Sequence, residues 1–472
     1  MISTIIEDGE INIKSNTIKD EEDRPLLFNE KDEIKNKKIP LSQNKHIKQI
    51  LLLFIIYTFM VMSSFLYGLY IPGVFTNYVK NKYPSFTTEE ISSKASYYKS
   101  FSDGLPYLSM FFLGPLVGVL SDKYGRKPVL FGVVFLLLMD MISCYITVRT
   151  NNLYIYYFFH TIAGVVNSVA GAAHSFISDL SHESQVPILY SLLGASLGAG
   201  ILFGPTTFVF SSKSSIPNLT IYISMATISF TLILIPFLKE SLEIAKQEKK
   251  ILIDIKKKTS NPFKLVKELF TKSGTYLTLV ILLYVSISYT SQDLLSNYYY
   301  YLEFVYGWNG SDCGLFFGAI GGVIMIWGVI LIPILLKFYS ERKIISLGFG
   351  ISIVAHTLFV LSGKSQYIYI SGGVFAAFVP NNISLIQAVI SRSTTSELQG
   401  TVLTGTVAIG SIASFAGAIV TNDIYMYATS KVYFPQAPYL LNGLIVIITF
   451  IGSLFIWKYH KNPNPHKESS IN

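Results

Sequence analysis

The sequence predicts an all-α membrane protein with twelve transmembrane helices in two six-helix bundles. Hydrophobic residues make up 51% of the 472 residues and charged residues only 14%, with a mean hydropathy of +0.46. That balance is rare in a soluble protein of this length. A helix needs about 20 apolar residues to cross a bilayer. The chain contains twelve such runs, with a basic stretch at 239–273 between the sixth and the seventh.

The twelve predicted spans fall into two groups. The first group occupies 49–70, 103–121, 128–148, 154–177, 186–210 and 219–238. The second group occupies 274–294, 312–337, 344–362, 367–390, 401–421 and 438–458. We therefore expect a disordered cytoplasmic tail (1–47), an N-terminal bundle (48–238), a cytoplasmic central loop (239–273), a C-terminal bundle (274–458) and a second cytoplasmic tail (459–472). The residues between the first two spans, 71–102, are expected to form a long loop.

The distribution of basic residues predicts the orientation of the chain. An even number of spans returns both termini to one side, and most of the 37 Lys and Arg fall on that side, including Lys123 and the run 256–258. Because cytoplasmic loops carry the excess of Lys and Arg, both termini are expected in the cytoplasm. The net charge of +8 then reflects orientation and not nucleic-acid binding. The sequons at Asn218 and Asn309 fall in loops on the opposite side, as glycosylation requires.

The polar turn between the second and third spans is the most specific motif in the chain. It contains Asp122, Gly125, Arg126 and Lys127, and Gly118 precedes it in the second span. This set of residues, in this order between two membrane helices, resembles the signature loop of the major facilitator superfamily. The resemblance implies a secondary transporter with the major facilitator fold, two pseudo-repeat bundles and alternating access. It also implies that Asp122 and Arg126 govern conformational switching and not substrate choice.

The N-terminal tail carries a candidate sorting signal. The tail is rich in charged residues and poor in aromatic ones, so we expect it to be disordered. Within it, Glu22, Leu26 and Leu27 resemble an acidic dileucine signal, which clathrin adaptors read in cytoplasmic tails. The chain is therefore expected in an endosomal or lysosomal membrane, with the plasma membrane as the alternative.

Polar side chains within the spans are the candidates for a transport site, because an unpaired ionisable group in hydrocarbon is costly. In the fourth span, polar and small residues line one helical face: His160, Gly164, Asn167, Gly171, His174 and Ser178. Asp140 of the third span lies at about the depth of His160, across a short turn. Two arrangements are expected. Either the two side chains form a proton-responsive pair, or each faces a different neighbouring helix.

The second half offers a further set of polar candidates. They lie in the seventh span (Tyr284, Gln292 and Asp293) and in the tenth (Asn381, Asn382 and Gln387). Hydrogen bonding between helices and contact with a substrate both explain such residues. As a group, they mark the predicted cavity side of this half.

Two transporter groups within the superfamily share features with this chain. The glycine pattern from Gly194 to Pro205 in the fifth span resembles a motif of drug:proton antiporters. Ser391-Arg392 and Glu397-Leu-Gln399-Gly400, which flank the loop after the tenth span, resemble the proton-coupled folate transporter family of solute carriers. We therefore expect a proton-coupled carrier of a folate-like solute or another organic anion. A drug/proton antiporter is the alternative, and a transporter-shaped receptor is a more remote one.

Other classes of function have no support in the sequence. A membrane enzyme would need a clustered nucleophile, metal site or acid pair, and no His-Glu-x-x-His, Cys-His or nucleotide-binding motif is present. Cys144 and Cys313 imply no disulfide framework. We expect no cofactor, no metal and no nucleic-acid partner. The expected partners are the small-molecule substrate, protons, the lipid bilayer and clathrin adaptors.

Overall fold

A computed structural model of the chain describes residues 41–182, 185–244, 261–272, 274–292, 298–393 and 399–459, in which all regular secondary structure is helical. The first half contains α1 (Ile47–Lys82), α2 (Thr88–Tyr124), α3 (Arg126–Thr150), α4 (Leu153–Leu180), α5 (Val186–Ser212) and α6 (Leu219–Leu234). The short helix α7 (Pro262–Lys272) separates the halves. The second half contains α8 (Thr275–Thr290), α9 (Tyr298–Tyr306), α10 (Gly310–Leu336), α11 (Glu341–Leu361), α12 (Gln366–Ile390), α13 (Gln399–Tyr427) and α14 (Ala437–Tyr459).

The membrane spans agree with those that the sequence predicts. In the part of the chain that the structure describes, eleven helices are long and apolar enough to cross a bilayer. The seventh predicted span coincides with α8, which is apolar but has 16 residues and ends before the undescribed residues 293–297. The prediction of an all-helical membrane protein is confirmed.

Three of the long helices contain a local irregularity. In α4 a 3₁₀ turn, Gly164–Ser168, interrupts the α-helix, and in α10 a π-helical turn occupies Trp327–Leu331. The two α-helical parts of α12 are separated by residues 377–378, shortly before Pro380. Irregular turns of these kinds inside membrane helices often mark functional positions, because they redirect side chains and backbone groups.

The prediction of a long loop over 71–102 is wrong. Helices α1 and α2 have 36 and 37 residues and continue through this region, leaving only a turn between Tyr83 and Thr87. Thr87 and Glu90 form a capping box, in which each side chain accepts a hydrogen bond from the other's backbone N–H. Hydropathy missed these extensions because they carry many polar residues, some buried against protein, as at Ser96, and others exposed near the turn, as at Lys80 and Lys82.

The predicted central loop, 239–273, also contains helical structure. Its segment 245–260 and residue 273 lie outside the described residues. Helix α7 packs through Leu265 and Leu269 against Gly405 of α13, and its Phe263 ring lies 5.3 Å from that of Phe111 in α2. The loop therefore contributes a helix that contacts both halves.

The two halves meet along two seams, α5 with α10 and α2 with α13. We call the side of the bundle that holds both chain ends the terminal side, and the opposite side the distal side. At the distal end, Ser212 lies within 2.9 Å of Ser311. On the same side, in the other seam, Ser96 of α2 donates a hydrogen bond to Asn422 of α13 (3.2 Å). These contacts close the bundle distally in this conformation.

Candidate functional site

The turn between α2 and α3 folds into a charged network on the terminal side. Asp122 accepts a hydrogen bond from the guanidinium of Arg126. The same guanidinium donates to Ser121 Oγ (3.0 Å) and to Asp179 Oδ2 (3.3 Å). Ser241 donates to that oxygen of Asp179 as well (2.9 Å). Arg126 thus links the ends of α2 and α4 and, through Asp179, the segment after α6.

Glu240 holds the start of α3. Its carboxylate accepts hydrogen bonds from the backbone N–H groups of Arg126 (2.8 Å) and Lys127 (3.0 Å). It also accepts one from the N–H of Leu242 (3.1 Å). A carboxylate at a helix N-terminus is favourable because it satisfies free N–H groups and the helix dipole. Gly125 makes this possible: it has a φ of 109°, and a Cβ there would lie 2.4 Å from a Glu240 oxygen.

The remaining residues of the predicted switch loop have different environments. Lys127 Nζ donates to the carbonyl of Pro236 (2.7 Å), which ties α3 to the end of α6. Gly118 is exposed on α2, and no atom lies within 4 Å of the position a Cβ would take there. Sequence reasoning missed Glu240, which it assigned to a loop. An acidic residue two positions after the predicted sixth span was the available signal.

Asp140 and His160 meet inside the first half. His160 Nδ1 lies 2.8 Å from Asp140 Oδ2, and its Nε2 lies 3.1 Å from the backbone oxygen of Ser102 in α2. The ring of Tyr156 stacks on the imidazole at 4.8 Å. Asp140 is 1% exposed, and its second carboxylate oxygen has no hydrogen-bond partner. Of the two expected arrangements, the structure shows the one in which the side chains are paired.

The shape of α4 brings His160 against α2. A Cβ at Gly164 would lie 2.3 Å from the carbonyl oxygen of Pro106, so only glycine allows the two backbones to approach this closely. The 3₁₀ turn begins at this glycine. The side chain of Asn167 in the same turn lies outside the described part of the chain. His174 packs edge-on against Tyr190 of α5, with ring centres 4.3 Å apart.

A second ionisable pair, which sequence reasoning missed, lies on α2 on either side of Ser102, whose backbone oxygen contacts His160. Lys99 Nζ contacts both carboxylate oxygens of Asp103, at 2.8 and 2.6 Å. Asp103 also interacts electrostatically with His160. The pair was overlooked because Lys99 fell in the predicted loop 71–102, whereas Asp103 was the first residue of the predicted second span. The i,i+4 spacing of a lysine and an aspartate was the signal for a helix there.

In the second half, the structure brings together some of the predicted polar residues. Gln387 of α12 donates a hydrogen bond to the hydroxyl of Tyr284 in α8 (3.2 Å). Gln292 is buried near the end of α8, donates to the carbonyl of Ser288 (3.4 Å) and interacts with the side chain of Tyr107 in α2. Gln292 therefore lies where the two halves meet.

The other predicted residues of this half are placed differently. Asn381 packs against the π-helical turn of α10, since a Cβ at Gly328 would lie 3.0 Å from its side-chain oxygen. Asn382 packs against Gly348 of α11, and neither of its amide atoms has a hydrogen-bond partner. Asp293 lies outside the described residues. Among the residues that are described, no group of three His, Cys, Asp or Glu side chains is arranged to hold a metal ion.

Both sequons lie on the distal side. The side-chain oxygen of Asn218 accepts a hydrogen bond from Tyr70 (2.8 Å), and that of Asn309 caps the start of α10. Both contacts use the oxygen and not the amide nitrogen to which a glycan is attached. The sorting-signal residues Glu22, Leu26 and Leu27 lie outside the described part of the chain.

Comparison with known proteins identifies similar sequences over most of the chain. The family model of the Major Facilitator Superfamily matches residues 50–418. Human "Hippocampus abundant transcript-like protein 1" is 23% identical over 393 residues, which cover 78% of this chain and 74% of that protein. The "Tetracycline resistance protein, class H" of Pasteurella multocida is 22% identical over 341 residues, covering 72% and 82% of the two chains.

Solved structures share the fold. The human organic anion transporter MFSD10 (TETRAN) superposes with a TM-score of 0.65 at 15% identity, covering 87% of this chain and all of the other. A D-xylose-proton symporter superposes with a TM-score of 0.64 at 14% identity, covering 88% of this chain and 98% of the other. At these identities the superpositions establish the architecture and leave the substrate to be argued from the site.

Proposed function

This chain belongs to the major facilitator superfamily of membrane transporters, and from that premise we propose that it carries a small organic solute by alternating access coupled to protons. It is a multi-pass membrane transporter and not an enzyme. The observation that carries the proposal of proton coupling is the contact between His160 and the buried Asp140.

The chemistry of this pair suits proton coupling. Histidine is the side chain whose ordinary pKa lies closest to neutral pH, so its charge changes within the physiological range. An ionisable pair inside a membrane bundle is costly to maintain, and such pairs commonly belong to proton or substrate pathways. The Asp140 oxygen that has no partner provides an acceptor for a proton or a polar group of the solute. His160 contacts the backbone of α2, so a change in its charge acts on a helix at the seam between the halves.

The network around the α2–α3 turn is proposed to control the switch between conformations. Asp122, Arg126 and Asp179 join three helix ends of the first half through charged hydrogen bonds. Rearrangement of this network would change how these helix ends move together when the two halves rotate relative to each other during alternating access. The resemblance of Gly118, Gly125 and Lys127 to the superfamily's signature loop supports the same role.

For the solute, we propose a folate-like molecule or another organic anion, taken up together with protons. Asn167, Tyr284, Gln292, Asp293 and Asn381 are the proposed polar contacts, together with Asn382 and Gln387. The alternative is export of a drug in exchange for protons, and the similarity to tetracycline resistance proteins favours it. A transporter-shaped receptor would bind a solute without moving it.

The orientation and location of the chain are proposed from its charges and motifs. The excess of Lys and Arg on the terminal side makes that side cytoplasmic, with both termini there. Asn218 and Asn309 would then carry glycans on the distal side. The proposed location is an endosomal or lysosomal membrane, reached when clathrin adaptors read Glu22, Leu26 and Leu27, or the plasma membrane.

The test is uptake by the purified protein in liposomes. Labelled folate is offered with and without an inward proton gradient, and tetracycline-loaded liposomes are assayed in parallel. Folate uptake that rises with the gradient in the wild type and loses this response in His160→Ala supports the symport proposal. His356→Ala is the matched control, since His356 is also buried in a span but bonds to the backbone of its own helix. Gradient-driven loss of tetracycline without folate uptake selects the antiporter alternative.

A further inference from the structure

We propose that Lys99 is an anion-binding residue at the distal mouth, where the carboxylate of an organic solute takes the place of Asp103. The inference rests on the proposed function, because it names the group that recognises the solute. It is carried by the position of the Lys99–Asp103 pair: Lys99 is buried and Asp103 partly buried, both lie on one helix, and the residues that flank them contact the opposite half.

The geometry shows that Lys99 already holds a carboxylate through both of its oxygens. Its ammonium group contacts both oxygens of Asp103, at 2.8 and 2.6 Å, which are distances of strong charge-assisted hydrogen bonds. Among the residues whose side chains the structure describes, Lys99 is the only lysine or arginine that is buried to this degree, with 3% of its surface exposed. A solute carboxylate has the same two oxygens and the same charge as Asp103, so it satisfies Lys99 equally well.

The surroundings of the pair show when it becomes accessible. Ser96 and Gly104 flank Lys99 and Asp103 on α2, and each contacts α13 of the opposite half. Gly104 packs against Phe415, and Ser96 bonds to Asn422. Separation of α2 from α13 on the distal side therefore uncovers this stretch of α2. In the distally closed conformation Asp103 neutralises Lys99, which makes burial of the cation tolerable without a solute.

The pair lies next to the proposed proton site. Ser102, between Lys99 and Asp103, offers its backbone oxygen to His160. An anion bound to Lys99 would thus enter the first half one helical turn on the distal side of the Asp140–His160 pair. Because Asp103 sits on the same helix as Lys99, exchange of one carboxylate for another needs no movement of a helix within this half.

The experiment measures carboxylate binding by the purified full-length protein through thermal stabilisation. The probes are folate and benzoate, with benzamide as the neutral match of benzoate. We compare the wild type with Asp103→Asn, Lys99→Met and the double variant. The double variant removes both charges at once, so it avoids leaving a buried charge without a partner and serves where a single variant fails to fold.

The expected result has three parts. Folate and benzoate stabilise the wild type and benzamide does not. Asp103→Asn binds benzoate roughly tenfold more tightly, since the competing carboxylate is gone. The double variant loses carboxylate binding although it folds. Carboxylate binding that persists in the double variant, or is absent from the wild type, overturns the proposal.

Flux measurements separate this inference from the proposed function. If the wild type takes up folate in response to a proton gradient and the double variant does so with an unchanged KM, Lys99 is only a structural partner of Asp103. If the binding pattern is as expected but no gradient-driven flux occurs, the anion site stands and the coupled-transport proposal fails.

Discussion

The α5–α10 seam gives the most quantitative prediction, through the substitution Gly321→Ala. A Cβ at Gly321 would lie 2.7 Å from the backbone carbonyl carbon of Ile201 and 2.7 Å from the backbone nitrogen of Leu202. Ordinary carbon contacts are about 3.5–4.0 Å. Backbone atoms cannot rotate away as a side chain does, so the two helices must separate locally by about 1 Å.

The cost of this separation falls on the distally closed conformation, in which the two helices are in contact. Overpacking of a close interface costs about 1–3 kcal/mol. Taking about 2 kcal/mol, the ratio of closed to open molecules falls about 30-fold, since 1.4 kcal/mol corresponds to a factor of ten. The same substitution at Gly194, on α5 within the first half, has no neighbouring atom within 4 Å and is the matched control.

The assay is alkylation of a cysteine introduced at Ser96 by a membrane-impermeant maleimide. Ser96 is fully buried at the distal end of the α2–α13 seam, so a cysteine at this position reacts only when the distal side opens. The native Cys144 and Cys313 are both buried and are replaced by alanine to leave one reactive thiol. Gly321→Ala is expected to raise the alkylation rate at least tenfold over Gly194→Ala. Equal rates in the two variants would refute the argument that this seam closes the distal side.

Three further predictions follow from the other sites. Asp140→Asn keeps a hydrogen-bond partner for His160 but removes the charge. Gradient-driven uptake should therefore fall at least tenfold, while solute exchange at equal pH persists. Intact gradient-driven uptake would argue against proton coupling through this pair. Glu240→Ala leaves three backbone N–H groups without their acceptor and should lower the free energy of unfolding by about 2 kcal/mol, measured as a lower Tm. The control is Glu243→Ala, which should leave the Tm unchanged because Glu243 is exposed. Equal Tm values in the two variants would contradict the capping role. In eukaryotic cells Asn218→Gln and Asn309→Gln should each remove one glycan. The loss is measured as a gel shift with and without endoglycosidase. A variant that shows no shift would place its sequon on the cytoplasmic side.

Much of the fold was predictable because the bilayer imposes a simple rule on composition. Runs of about 20 apolar residues gave the spans, and a polar turn with Gly125 and Arg126 gave the most specific motif. The contact between Asp140 and His160 was also among the expected arrangements. It followed from helical rise alone, since two antiparallel helices joined by a short turn place residues at equal distances from the turn at equal depth.

The parts that sequence reasoning missed share a physical cause. Lys99, Asp103 and Glu240 are charged, and a hydropathy argument places charged residues in loops, as it did with Lys99 and Glu240, or at the ends of spans, as with Asp103. In the structure each has its charge satisfied by protein groups, through an ion pair or through backbone N–H groups. Whether a charge meets protein or lipid depends on which helices pack against it. A single sequence read by its periodicity does not contain that information.

The length of α1 and α2 gives the molecule a mechanical property. With 36 and 37 residues, these helices are about 54 Å long, whereas the hydrocarbon core is about 30 Å thick. The tip of this hairpin is braced by Tyr78 against Tyr98 and by the stacked rings of Tyr83 and Phe86. Because this hairpin extends beyond the hydrocarbon core, a small tilt at the seam becomes a displacement of several ångströms at its tip. Movement of the tip would therefore report the transport cycle outside the bilayer, and an antibody fragment that binds the tip would slow the cycle.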